Sequence, residues 1–182
     1  MIPEWLTALA SVGTFLVVAI TAFAALRQIR HMRSGNQVAA LLPLIEKYEA
    51  TRESRDYVMR SLQLDLNDRT VRAGVMAVPA EGPARQAIPF LNFYESVGAL
   101  VAVEVLDLDL VLRYFFPTPS EVWANASGFI AISRRTSGPE IFENLEALVV
   151  MQEDYERRHG TSVYPRGLRH LDPPDRWRSD DD

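Results

Sequence analysis

Between Trp5 and Leu26 the chain reads WLTALASVGTFLVVAITAFAAL, with no charged residue. As a helix this run rises about 33 Å, against about 30 Å for the hydrocarbon core of a bilayer. It constrains the fold more than any other feature, and it predicts a transmembrane anchor carrying the rest of the chain. A cleaved signal peptide is the rival, since Ala22-Phe23-Ala24 resembles a small-x-small cleavage site. Such a peptide needs a positive n-region, however, and the only charged side chain ahead of the run is Glu4. Arg27, Arg30 and Arg33, with His31, follow the run instead. Arginines on that side predict a single pass through the cell membrane, with the N-terminus outside and the C-terminal domain in the cytoplasm. Trp5 stands where an interfacial aromatic belongs. Ser11, Gly13 and Thr14 are small but form no clean small-xxx-small repeat, so a homo-oligomer is only weakly signalled.

The chain divides into an anchor and juxtamembrane helix over 1–34, a helical domain over 35–160 and a polar tail over 161–182. Of the 182 residues, 48% are hydrophobic, enough for a core besides the anchor. The formal charge is −5, and setting aside Glu4, Arg27, Arg30 and Arg33 makes the remainder −7. A surface of that sign repels phosphate and argues against nucleic acid as a partner. There is no cysteine, so disulfides and thiolate chemistry are excluded.

Beyond the anchor the periodicity is helical throughout, and the predicted class is all-α with about five bundled helices. Gly35-Asn36 is read as a break. Val38, Leu41, Leu42, Ile45 and Tyr48 then recur at helical spacing, with a kink or restart expected near Pro43. Thr51 is the predicted N-cap of a helix reaching about Leu64, with Tyr57, Val58 and Leu62 inward. Residues 65–78 hold at most one short helix, and 78–87, with Pro79, Gly82 and Pro83, read as an exposed loop. Phe90, Phe93, Tyr94, Val97, Leu100 and Val101 make a broad apolar face from about Pro89 to Val103. Asp107 is the expected cap of a short helix stopped by Pro117. Thr118-Pro119-Ser120-Glu121 is a capping-box signature, opening a helix with Trp123, Ser127 and Ile130 on one stripe. Ser137-Gly138-Pro139-Glu140 repeats that signal. The last helix buries Ile141, Leu145, Leu148 and Gln152 or Tyr155, and ends on Arg157-Arg158-His159-Gly160, basic residues and then glycine. In the tail, Trp177 is the one residue suited to docking.

The segment Asn92-Phe93-Tyr94-Glu95-Ser96-Val97-Gly98-Ala99-Leu100-Val101, followed by Leu106-Asp107-Leu108-Asp109-Leu110-Val111, Trp123 and the arginines Arg134 and Arg135, resembles a family of small single-pass bacterial membrane proteins with a helical domain of unknown function. The resemblance covers most of the chain and is clearest from Phe93 to Val111. Where that family usually has glycine before the Leu-Asp turn, this chain has Glu104-Val105. The resemblance implies a fold and a location but no activity.

No stretch carries a recognisable chemistry. His31, His159 and His170 lack partners at metal-binding spacing. Glu143, Glu146, Glu153 and Glu156 read as a solvated face rather than a ligand set, because no histidine accompanies them. Asp107 and Asp109 lack the remaining ligands of a calcium loop and read as cap residues. There is no glycine-rich phosphate loop, and Ser127 and Ser133 have no nucleophile context. No catalytic, cofactor or metal residue is assigned. One pair stands out. Arg134 continues the stripe 123, 127, 130 and calls for a carboxylate, for which Glu95 is the first choice and Glu104 the second. The expected function is a membrane-tethered helical interaction or scaffold module with a protein partner. The alternative is a membrane-associated hydrolase built on carboxylates.

Overall fold

The computed structural model describes residues 4–77 and 80–161; within the first helix the described side chains are those of 13–25, 27–28 and 39–50. The expected positions of Pro79 and of the tail, Trp177 included, lie outside the described residues. Among the described residues every regular element is helical. They are α1 (Glu4–Ala50), α2 (Arg52–Arg60), α3 (Leu62–Asp65), α4 (Arg69–Met76), a 3-10 turn (Pro83–Ala87), α5 (Ile88–Ala102), α6 (Leu108–Tyr114), α7 (Pro119–Ser137) and α8 (Glu143–His159).

The expected transmembrane helix is corrected. Among the described residues no helix is long and apolar enough to cross a membrane. α1 is long, but past residue 25 its described side chains include Arg27, Gln28, Glu46, Lys47 and Glu49, so the helix is not apolar over its length. The expected break at Gly35-Asn36 is absent too, and α1 runs unbroken to Ala50. One helical glycine costs only about 1 kcal/mol, too little to end a helix that propagates on both sides. Pro43 also lies inside α1, on its exposed side. Its missing N–H costs about 3 kcal/mol. Burial of the neighbouring Leu41, Leu44 and Tyr48 offsets that loss, at about 1.5–3 kcal/mol for each large apolar side chain.

The core is organised on α5. Phe90, Leu91, Phe93, Tyr94 and Val97 are all fully buried, and α5 packs against α1, α2 and α8. Phe93 meets Tyr94 and Phe115 edge-on at ring separations of 5.3 and 5.0 Å, and Tyr48 of α1 joins the same cluster at 5.4 Å from Phe93. These are favoured aromatic geometries, and they tie the end of α1 into the domain. The second layer is α7, packed on α8, α4, α3 and α2.

The capping box at Thr118 forms as read. The Thr118 hydroxyl accepts from the Glu121 N–H, and the Glu121 carboxylate accepts from the Thr118 N–H at 2.7 Å. Its apparent repeat at Ser137 does not form. Ser137 is instead the end of α7, Gly138 follows at φ +100°, and α8 starts only at Glu143 after Phe142 in the left-handed region. The buried stripe of α7 is Val122, Ala126, Phe129, Ile130 and Ile132, so Trp123 and Ser127 sit beside it, half-buried. Residues 65–77 do hold one short helix, capped by Asp68, whose side chain accepts from the Thr70 N–H.

Candidate functional site

Glu95 and Arg134 both act on the start of α8, through different partners. Glu95 lies on α5, one turn before Gly98, where the two helices touch. A Cβ on Gly98 would stand 2.6 Å from the Asn144 carbonyl carbon and nearer still to its oxygen. That contact admits only glycine, and it brings the first turn of α8 onto Glu95. The Glu95 carboxylate accepts from the Asn144 side chain and from the Asn144 and Leu145 N–H groups. It fills the role of a cap residue that Phe142, which makes no side-chain cap bond, leaves open. A carboxylate there also faces the positive end of the helix dipole. Arg134, on α7, donates to the Ile141 carbonyl at 2.9 Å and pairs with Glu146 at 2.7 Å. Its guanidinium lies 5.8 Å from the Trp123 ring, and its side chain is 23% exposed. Arginine does continue the α7 stripe at its rim, but the carboxylate it meets is on α8. Sequence spacing cannot show that, because the α7–α8 link reverses the chain.

The buried polar residues have structural partners. Gln152 accepts from the Ser120 N–H and donates to Glu156, and Ser54 bridges Gln86 and the Phe90 N–H. Among the described residues no buried side-chain nitrogen or oxygen lacks a partner. Nor does any group of three or more His, Asp and Glu there stand ready for a metal ion. Burial pushes the Tyr94 phenol well above its ordinary value, and it donates to the Pro117 carbonyl. Tyr57 is raised by burial and by its hydrogen bond to Asp65. Phenols held so high stay protonated near neutrality and make poor general bases.

Among the described residues, two surfaces combine exposure with large apolar or aromatic side chains. One is a cleft of about 500 Å³ between α2 and the α6–α7 turn, lined by Tyr48, Arg55, Met59, Arg60, Phe116 and Glu121. Arg55 stacks over the Tyr48 ring at 4.6 Å, and Phe116 at the rim is 71% exposed. The other is the N-terminal part of α1. Phe15, Leu16, Val17 and Val18 are consecutive, so at about 100° per residue they cover every side of the helix, and all are more than half exposed. Ile20 and Phe23 extend the surface at 67% and 68%. The Thr21 hydroxyl donates to the Val17 carbonyl within the helix, leaving little polarity on this stretch.

Fold and surfaces together define an all-helical module carried on a long N-terminal helix with an exposed apolar surface from Phe15 to Phe23. The domain of unknown function DUF4760 matches residues 15–151. The chain belongs to that family, and the match takes in the apolar part of α1 as well as the bundle. No curated protein and no solved structure matches the chain.

Proposed function

We propose that this protein is a helical interaction module, held at a lipid bilayer by residues 13–25 of α1 and offering its bundle to a protein partner. The observation that carries the reading is the exposure of apolar side chains around the whole circumference of α1 from Phe15 to Phe23. A protein partner covers one face of such a helix, whereas acyl chains cover all of them. In the sequence Arg27, Arg30 and Arg33 follow directly, suited to the anionic headgroups such a segment meets. The same helix enters the core through Leu41, Leu44 and Tyr48, so whatever holds its far end also holds the bundle. On the bundle, the cleft beside Phe116 supports the partner half of the reading, since an exposed aromatic at a concave rim is a common anchor in interfaces.

Flotation of the full chain with vesicles of mixed zwitterionic and anionic lipid tests the attachment. The protein is expected to rise with the vesicles, and Val17→Asp with Ile20→Asp is expected to leave it at the bottom with its helical spectrum unchanged. A wild-type chain that stays at the bottom overturns the reading.

A further inference from the structure

Residues 27–33 read RQIRHMR, in which Ile29 and Met32 are the only apolar side chains. Their spacing is three. Counting toward the N-terminus alternately by four and three lands on Ala25, Ala22, Val18 and Phe15; counting the other way lands on Asn36 and Ala39. This is an a/d heptad stripe kept for more than three heptads, and it is the one register whose members within the arginine cluster are all apolar. Its only polar member is an asparagine at an a position, the device that fixes register in two-stranded coils. The backbone is one unbroken helix over the whole length.

We infer that a second copy of this chain pairs in parallel with α1 along this stripe. Three observations favour that occupant. The domain uses the other side of the helix. Leu41, Leu44 and Tyr48, buried in the bundle, fall at f, b and f, while Ala39 at d is exposed and lies about 160° around the helix from Leu41. The charges do not oppose pairing. In this register Arg27, Arg30, His31 and Arg33 take positions f, b, c and e, outside the a/d stripe. The length suffices as well. From Phe15 to Ala39 the stripe spans more than three heptads, the extent over which an a/d pattern signals a coiled coil. The direction rests on the proposed lipid attachment, since two copies held in one bilayer by the same end run parallel. The remaining sides of residues 13–25 then face lipid.

Because the chain has no cysteine, single cysteines test this cleanly. Full-length Ile29→Cys, Met32→Cys and Ala39→Cys are oxidised mildly in detergent micelles, with Arg27→Cys and Ser34→Cys as controls on the outer face. The three stripe variants are expected to give disulfide dimers at least fivefold more abundant than the controls. Self-crosslinking at all three requires parallel pairing, because an antiparallel pair brings like residues together only near its midpoint. Equal yields across the five positions, a maximum at the controls, or a detergent-corrected mass of one chain overturns the inference. Ile29→Arg, with unchanged helical content, is expected to abolish the dimer. Flotation separates the two proposals. If flotation fails while the three-position pattern holds, the lipid attachment falls and the pairing stands. If flotation succeeds without the pattern, the pairing falls and the attachment stands.

Discussion

Glu95 of α5 caps a helix it does not belong to. One of its oxygens accepts the Asn144 side-chain amide at 2.7 Å and the Asn144 N–H at 3.3 Å, and the other accepts the Leu145 N–H at 2.9 Å. Glu95→Ala leaves those donors of α8 without a partner and is expected to cost about 2–3 kcal/mol. Arg134→Met, at a half-exposed pair with Glu146, is expected to cost about 1 kcal/mol. Because the two residues have separate partners, neither substitution strands the other's charge. The double variant therefore loses more than either single variant in urea or thermal melts. Rescue in the double variant would show that the two charges pair directly.

Gly98 sets how closely α5 and α8 approach. Gly98→Ala drives a methyl into the Asn144 backbone and is expected to cost about 1–3 kcal/mol by overpacking. Gly128 of α7 is the control. Its added Cβ meets only the Leu66 Cδ1 at 3.4 Å, so Gly128→Ala is expected to be neutral or to stabilise by up to about 1 kcal/mol through helix propensity. Equal melting temperatures for the two variants would show that the α5–α8 approach is not limited by the missing Cβ.

Local signals were legible in the sequence, and long-range pairings were not. The Thr118–Glu121 box and the apolar face of α5 are set within one helix turn or one helix face, and both appear where the spacing puts them. The same four-residue signature fails at Ser137, because Gly138 at positive φ ends α7 first and the chain needs four more residues to turn. Arg134 was recognisable as a polar interruption of a stripe. Its partner was not, since Glu146 is brought to it by the left-handed Phe142 and the Gly98 contact, neither of which has a periodic signature. The apolar run in α1 was plain from composition.

Asp109 links α6 to α8. It takes two hydrogen bonds from Arg113, at 2.8 and 3.2 Å, and one from Tyr155 at 2.8 Å. The Arg113 bonds, then the Tyr155 bond, hold its carboxyl below the ordinary 3.8. A depressed carboxylate stabilises the fold fully above its unfolded value, and the contribution disappears as pH falls through the folded value. Asp109→Asn is therefore expected to lower the melting temperature near neutral pH, by the equivalent of under about 1 kcal/mol for so exposed a group. The gap to wild type should close as pH drops from about 5 to about 2.5. A gap that stays constant over that range would rule out the carboxylate as its source.

The end of α1 belongs to the core, although the rest of that helix leaves it. Leu41, Leu44 and Tyr48 are buried; the Tyr48 ring packs on Phe93 and Phe115, and its hydroxyl donates to the Phe116 carbonyl. A chain starting at Asn36 keeps all of these and is expected to melt within a few degrees of the full protein. A chain starting at Thr51 loses all three side chains. At about 2–5 kcal/mol for each large buried side chain, that loss is comparable to a typical domain stability of about 5–15 kcal/mol. It is expected to show no cooperative transition. Single substitutions separate the contributions. Tyr48→Phe keeps the ring and gives up one hydrogen bond, a loss of about 1 kcal/mol, while Tyr48→Ala opens the aromatic cluster and costs about 3–5 kcal/mol. Thermal melts followed by circular dichroism at 222 nm (roughly the helix minimum) measure all four chains. A cooperative melt from the Thr51 chain would make α1 an appendage of the bundle, so that attaching its far end would no longer fix the domain.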